Sequence, residues 1–125
     1  KGKDTLSSGN GRDTLWGAND NDILRGRGGN DSLIGGNNSD LLDGGIGDDT
    51  LDGHNGDDIF VLESDAGSDT IVDFRLGIDR LALANGLQFD DLSFANNTIL
   101  AGEEVLVTLN WINTEQLTSS DFKTI

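Results

Sequence analysis

The sequence predicts an all-β protein: a parallel β-solenoid of 18 residues per coil over residues 1–61, followed by a β-rich C-terminal cap over residues 62–125. Three observations predict it. Asp recurs at 4, 13, 22, 31, 40, 49 and 58, every nine residues without error. Two residues after each Asp stands an apolar side chain: Leu6, Leu15, Leu24, Leu33, Leu42, Leu51 or Phe60. Two residues before each Asp stands Gly2, Gly11, Asp20, Gly29, Asn38, Gly47 or Gly56, all of types that tolerate a left-handed backbone.

Each position has a physical reading. The Gly, Asp or Asn two residues before the repeated Asp makes a turn of positive φ. The last three residues of each copy alternate outward, inward, outward, as a short strand does, and the apolar residue is the inward one. Turn, strand, turn and strand over 18 residues close one coil, and stacked coils form two parallel sheets with a shared leucine core. The outward residue after each Asp then falls into two columns, Thr5–Ile23–Leu41–Ile59 and Thr14–Ser32–Thr50. An aliphatic stripe prefers cover. The Ile23, Leu41, Ile59 face is therefore expected to be covered by the tail or by self-association with a second copy, and the hydroxyl column to be solvated. Trp16 is expected to point outward.

Composition narrows the chemistry. A length of 125 residues suits one domain, no run approaches the 18 apolar residues of a membrane span, and there is no Cys for a disulfide or a thiolate metal site. The formal net charge of −15 disfavours nucleic acid and anionic lipid. Low hydrophobicity with high net charge predicts disorder unless a cation neutralises the carboxylates. Seven core side chains cannot by themselves offset the ordering of such a coil. Asp residues one coil apart lie about 4.8 Å from each other and repel as free anions. Ca²⁺ between them makes them ligands, since it takes 6–8 oxygens at roughly 2.3–2.6 Å and turn carbonyls can complete the set. Mg²⁺, which wants a rigid octahedron, fits less well. The chain begins at Lys1 inside a repeat, so it reads as a piece of a longer protein.

The repeat is clearest in GGIGDDTLD (Gly44–Asp52) and GHNGDDIFV (Gly53–Val61). It resembles the RTX, or hemolysin-type, calcium-binding nonapeptide GGxGxDxUx. That resemblance implies a parallel β-roll with each Ca²⁺ held between turns two copies apart. Carried onto this chain, it places Asp4, Asp22, Asp40 and Asp58 along one edge and Asp13, Asp31 and Asp49 along the other. Full sites would then lie between 4/22, 22/40, 40/58, 13/31 and 31/49. Carbonyls of turn residues such as Gly9, Gly11, Gly36, Gly45 and Gly47 would complete them. Five ions would bring ten positive charges to a segment whose net charge is −7, from 12 Asp against 5 Lys and Arg in residues 1–61. Ser8 in the first glycine position, Ala18, Arg27 and His54 in the second, and Asp20 and Asn38 in the third depart from the motif and are expected to weaken individual turns.

In the tail, Asp69-Thr70-Ile71 and Asp79-Arg80-Leu81 repeat the Asp-x-apolar triplet after eleven and ten residues. Asp69 and Asp79 are expected to cap the two edges as further ligands, for five to seven ions in all. Ile59–Leu62, Asp69–Phe74, Arg80–Ala84 and Val105–Ile112 read as strands, 95–98 and 101–103 as turns, and no long helix is expected. Trp111 is expected in the tail core. The string IFVL…GSDTIVDF…GIDRLALA…DLSF…LTSSDF resembles the C-terminal segment that follows RTX repeats in secreted bacterial proteins. This implies closure of the open end of the roll and an uncleaved type I secretion signal at the extreme C-terminus, which Asp121–Ile125 matches in part.

No catalytic set is defensible. The only His, His54, lies in a turn and is expected at the surface. The reading is a non-catalytic calcium-binding module, the C-terminal part of a larger bacterial protein exported to the extracellular medium. It would fold on Ca²⁺ after type I secretion, with calcium and the secretion machinery as partners, and with neither nucleic acid nor stable membrane insertion. The alternative is a ligand-recognition β-roll, such as a polysaccharide- or ice-binding adhesin module. The variable turn positions carry no Thr ladder for ice, and the negative charge disfavours polyanionic sugars.

Overall fold

The structure, a computed structural model, describes residues 2–125; Lys1 lies outside the described residues. Seven short strands follow the nine-residue phase: β1 (Thr5–Ser7), β2 (Thr14–Ala18), β3 (Ile23–Arg25), β4 (Ser32–Gly36), β5 (Leu41–Asp43), β6 (Thr50–His54) and β7 (Ile59–Leu62). The tail adds β8 (Asp69–Ile71), β9 (Arg80–Leu83), β10 (Leu92–Ala95), β11 (Thr98–Ala101), β12 (Glu104–Leu109) and β13 (Phe122–Thr124), with three single-turn 3₁₀ segments.

Strands alternate between two sheets, as an 18-residue coil requires. One sheet runs β1-β3-β5-β7-β9-β13 and the other β10-β11-β12-β8-β6-β4-β2. The repeat strands pair in parallel with every residue opposite the one 18 positions on, so Leu6 faces Leu24 and Leu15 faces Leu33. A one-residue slip would turn every leucine outward, so the apolar pattern itself holds the register. Leu24, Leu33, Leu42, Leu51 and Phe60 are fully buried between the sheets, while Leu6 and Leu15 in the first coil are partly buried.

The tail completes both sheets. β8 extends the roll beyond β6, and β9 beyond β7, both in parallel register. β12 then joins β8 in parallel and starts an antiparallel run through β11 to β10, with the turns at 96–97 and 102–103. β13 returns to pair with β9. Phe89, Phe94 and Phe122 meet edge to face or tilted, with ring centroids 5.1–6.1 Å apart, and close the core at this end.

Three tail expectations are corrected. The strand at Asp69 ends at Ile71, because Asp73 turns away to receive backbone N–H groups of an adjacent turn. The strand at 105 ends at Leu109, where the chain reverses as the Ile112 amide donates to the Leu109 carbonyl. Trp111 takes a left-handed φ of 68° in that reversal and is 96% exposed, so it is no part of the tail core, whose aromatic space Phe89, Phe94 and Phe122 fill. The tail also does not cover the aliphatic stripe. β9 and β13 lengthen that sheet edgewise, placing Arg80 beside Ile59, and Ile23, Leu41 and Ile59 stay half-buried. Across the molecule Thr14 and Thr50 are exposed and Ser32 is half-buried. Trp16 points outward, 66% exposed.

Candidate metal centre

Each strand is entered through a six-residue turn ending in the repeated Asp. The turns 17–22, 35–40 and 53–58 stack along one edge, and 8–13, 26–31 and 44–49 along the other. The fourth residue of the turn is left-handed in all seven copies, with φ between 77° at Asp20 and Asn38 and 125° at Gly47. The second residue is left-handed as well, at Ala18 (79°), Arg27 (72°), Gly36 (108°), Gly45 (82°) and His54 (72°). Ala18, Arg27 and His54 therefore hold the same conformation as glycine instead of relaxing it.

This backbone turns the carboxylates inward and into file. Asp22, Asp31, Asp40, Asp49 and Asp58 are all no more than 3% exposed. Each Oδ1 accepts the amide N–H of the Asp one coil back: Asp4 to Asp22 at 2.7 Å, Asp13 to Asp31, Asp22 to Asp40 and Asp31 to Asp49 at 2.8 Å, and Asp40 to Asp58 at 2.9 Å. The second oxygen is a different matter. Among the described residues, Oδ2 of Asp13, Asp22, Asp31, Asp40, Asp49 and Asp58 is buried without a hydrogen-bond partner. Six orphaned anionic oxygens in two rows are costly unless a cation meets them.

The glycine in the first position of the turn makes the space for one. A Cβ on Gly17 would lie 2.7 Å from Asp22 Oδ2 and 2.6 Å from the Gly35 carbonyl oxygen of the next coil. On Gly26 it would lie 2.5 Å from Asp31 Oδ2 and 2.6 Å from the Gly44 oxygen, and on Gly35 2.5 Å from Asp40 Oδ2 and 2.9 Å from the Gly53 oxygen. A carboxylate oxygen and a carbonyl oxygen thus converge on a cradle that any side chain would fill. All-oxygen donors of this kind suit a hard cation. Among the described residues no three carboxylates or imidazoles converge on one point, so an ion here must draw on the backbone.

Sequence reasoning missed the first-position carbonyls of Gly35, Gly44 and Gly53; the signal was glycine at that position in five of six copies, from Gly17 to Gly53. Of the carbonyls it named, Gly9 and Gly36 already accept the amides of Gly28 and Asn55 in the next coil. Those of Gly11, Gly45 and Gly47 accept no hydrogen bond among the described residues.

Burial dominates the acid–base behaviour of the rows. It pushes Asp40 and Asp49 up to about 6, Asp58 to about 7 and Asp69 to about 8, with neighbouring carboxylates adding to the rise.

Asp69 and Asp79 continue the files. The Asp49 amide donates to Asp69 Oδ1 and the Asp58 amide to Asp79 Oδ1, both at 3.0 Å. The turn before Asp69 keeps the repeat geometry, with Asp65 (59°) and Gly67 (106°) left-handed in its second and fourth positions. The turn before Asp79 does not: the Arg75 carbonyl accepts the amides of Ile78 and Asp79 in a local helical turn. His54 is exposed, its Nδ1 3.3 Å from Asp52 Oδ1.

With this geometry in view, the comparison with known families is decisive. A family profile described as RTX calcium-binding nonapeptide repeat (4 copies) matches residues 1–33 and 34–71. The chain belongs to the RTX calcium-binding nonapeptide repeat family. Calcium is therefore the cation of this RTX chain, and the orphaned Oδ2 atoms and glycine cradles fit it. The RTX match ends at Ile71, so it takes in the Asp69 turn and stops short of the Asp79 turn. Among solved structures the chain is similar to the extracellular lipase LipA from Serratia marcescens, with 23% identity and a TM-score of 0.71 over 95% of this chain and 20% of the lipase. That likeness shows the RTX β-roll fold, and the chain spans about a fifth of the lipase's length. It is also similar to the AlgE6R3 subunit of the Azotobacter vinelandii mannuronan C5-epimerase, with 22% identity and a TM-score of 0.41 over 97% of this chain and 77% of that one. No curated protein sequence matches this chain.

Proposed function

We propose that this chain is a non-catalytic module that folds when calcium binds, the C-terminal part of a larger bacterial protein exported by type I secretion. The observation that carries it is the double row of buried, unpartnered Oδ2 atoms from Asp13 to Asp58. Asp4, Asp22, Asp40 and Asp58 on one edge, and Asp13, Asp31, Asp49 and Asp69 on the other, hold the ions between successive turns. First- and fourth-position carbonyls complete each shell. Metal-binding energy is here folding energy. Where calcium is scarce the carboxylates repel and the chain stays open for passage through an exporter. Where calcium is abundant the coils close. Residues 1–61 form the calcium roll, and residues 62–125 cap it and carry the export signal. An upstream segment supplies any catalytic activity.

The test is a calcium titration followed by far-ultraviolet circular dichroism. The spectrum is coil-like in chelator at neutral pH and becomes β-rich in millimolar Ca²⁺. A β-rich spectrum in excess EDTA at neutral pH overturns the reading. Export is tested separately by fusing residues 62–125 to a passenger in a strain with a type I exporter.

A recognition module is the second reading. It draws support from the hydroxyl column, which the tail lengthens in register to Thr14–Ser32–Thr50–Thr70–Thr108. Retention on insoluble polysaccharide, or thermal hysteresis, would favour it.

A further inference from the structure

We propose that Arg75 stands in for a calcium ion at the end of one row, so that the row through Asp58 ends in a guanidinium instead of a metal site. The inference rests on the calcium reading above and concerns the gap between the turn 53–58 and the turn 74–79.

Three observations carry it. First, Arg75 Nη2 donates to the carbonyl of Gly56, the fourth residue of its turn. The corresponding carbonyls of Gly11, Gly29, Asn38 and Gly47 accept no hydrogen bond among the described residues. Gly56 thus has a cationic donor where its counterparts have an open lone pair. Second, Asp79 differs from the repeat carboxylates of Asp13 to Asp58. Its Oδ1 accepts the Asp58 amide as the motif demands, but its Oδ2 is not orphaned. That oxygen, in an Asp79 side chain 1% exposed, accepts the Arg75 amide at 2.9 Å and lies 3.7 Å from Arg75 Nε, whose own side chain is 40% exposed. Third, the Arg75 carbonyl turns back to the Ile78 and Asp79 amides of its own turn, whereas the second-position carbonyls of Gly9, Ala18, Arg27 and Gly36 accept amides of the next coil, so this turn departs from the repeat geometry that frames the other sites.

One side chain therefore bridges a turn carbonyl on one coil and the terminal carboxylate on the next, the two kinds of oxygen a calcium ion would join. A buried carboxylate needs a counter-charge, and a guanidinium carries it on a planar array of donors that can reach oxygens on both sides. The neighbouring Asp73 completes the substitution by accepting the Gly53 and His54 amides at 3.0 and 2.6 Å. The other edge has no such device. Glu104 accepts the Asp65 amide there, and among the described residues no basic side chain pairs with Asp69. The 49/69 position is thus left to an ion, while the 58/79 position is not.

Native mass spectrometry of the full chain in calcium counts the ions. Asp79→Asn leaves the wild-type count unchanged, because Asp79 pairs with Arg75 and not with metal. Asp69→Asn lowers it by one. Arg75→Ala, which frees the Gly56 carbonyl and Asp79 Oδ2, raises it by one. A count that falls by one in Asp79→Asn overturns the proposal, as does a folded Arg75→Ala chain with an unchanged count. If Arg75→Ala does not fold, the Asp79→Asn count decides. A wild-type chain that binds no calcium removes the calcium reading itself, whereas one that binds calcium but loses an ion in Asp79→Asn removes only the role of Arg75.

Discussion

The Asp40 amide donates to Asp58 Oδ1 at 2.9 Å, and Asp58 Oδ2, on the same carboxylate, is buried with no partner. One oxygen belongs to the coil stack and the other waits for a cation. The same division recurs at each interior Asp, so each carboxylate joins its own site to the coil before it. Sites arranged in this way are coupled through shared ligands, and their loss is not uniform along the row.

Interior ligands are therefore more costly to remove than terminal ones. In the proposed arrangement Asp31 and Asp40 each serve two ions, whereas Asp4 serves one. Asp31→Ala or Asp40→Ala is expected to raise the calcium midpoint of folding about tenfold more than Asp4→Ala, a difference of roughly 1.4 kcal/mol. Midpoints followed by circular dichroism check this, and equal shifts for all three would argue against shared sites.

The cradles make a sharper contrast between glycines. A methyl on Gly35 would overlap Asp40 Oδ2 and the Gly53 carbonyl, whereas one on Gly9 meets nothing within 4 Å. Gly35→Ala is expected to destabilise the calcium-loaded form by about 1–3 kcal/mol, and Gly9→Ala to leave it unchanged. Thermal unfolding in saturating Ca²⁺ measures both. A silent Gly35→Ala would mean that the cradle is not an ion site.

The raised carboxyls set the pH dependence of the calcium-free chain. Asp40, Asp49, Asp58 and Asp69 rise from 3.8 to between about 6 and about 8, principally by burial. The folded state then binds more protons than the unfolded one between these limits, so apo stability is greatest below the unfolded value and is lost as pH rises through 6 to 8. In EDTA, β structure is expected to be greater at pH 5 than at pH 8. Calcium displaces those protons from the folded state, so calcium binding to the folded chain is expected to release more protons at pH 5 than at pH 8. Titrations at the two pH values test both signs, and a chain that gains β structure in EDTA on going to pH 8 contradicts the first.

Removal of the cap tests the tail. Truncation after Val61 keeps all seven nonapeptide Asp residues but strips β8 from β6 and β9 from β7, exposing Leu51 and Phe60 at the last coil. Terminal units of a stack need cover. The truncated chain is expected to stay coil-like in millimolar Ca²⁺ by circular dichroism, and folding at an unchanged midpoint would remove this role.

The fold and the files of carboxylates were legible in the residues because the constraint is periodic. Each Asp, each inward leucine and each left-handed fourth residue answers a local requirement that repeats every nine positions, so spacing alone places Asp22 above Asp40 and Leu24 above Leu42. The tail lacks that repetition, and its non-local contacts were decided by the tertiary structure. Trp111 reads as core by composition, yet Phe89, Phe94 and Phe122 fill the aromatic space and a backbone reversal turns Trp111 out. Asp69 and Asp79 carry the same triplet, yet among the described residues the carboxylate of one pairs with no basic side chain and that of the other faces Arg75. A triplet specifies which way a side chain points. What stands opposite it across the gap between two coils depends on how the intervening chain folds, and only the assembled structure determines that.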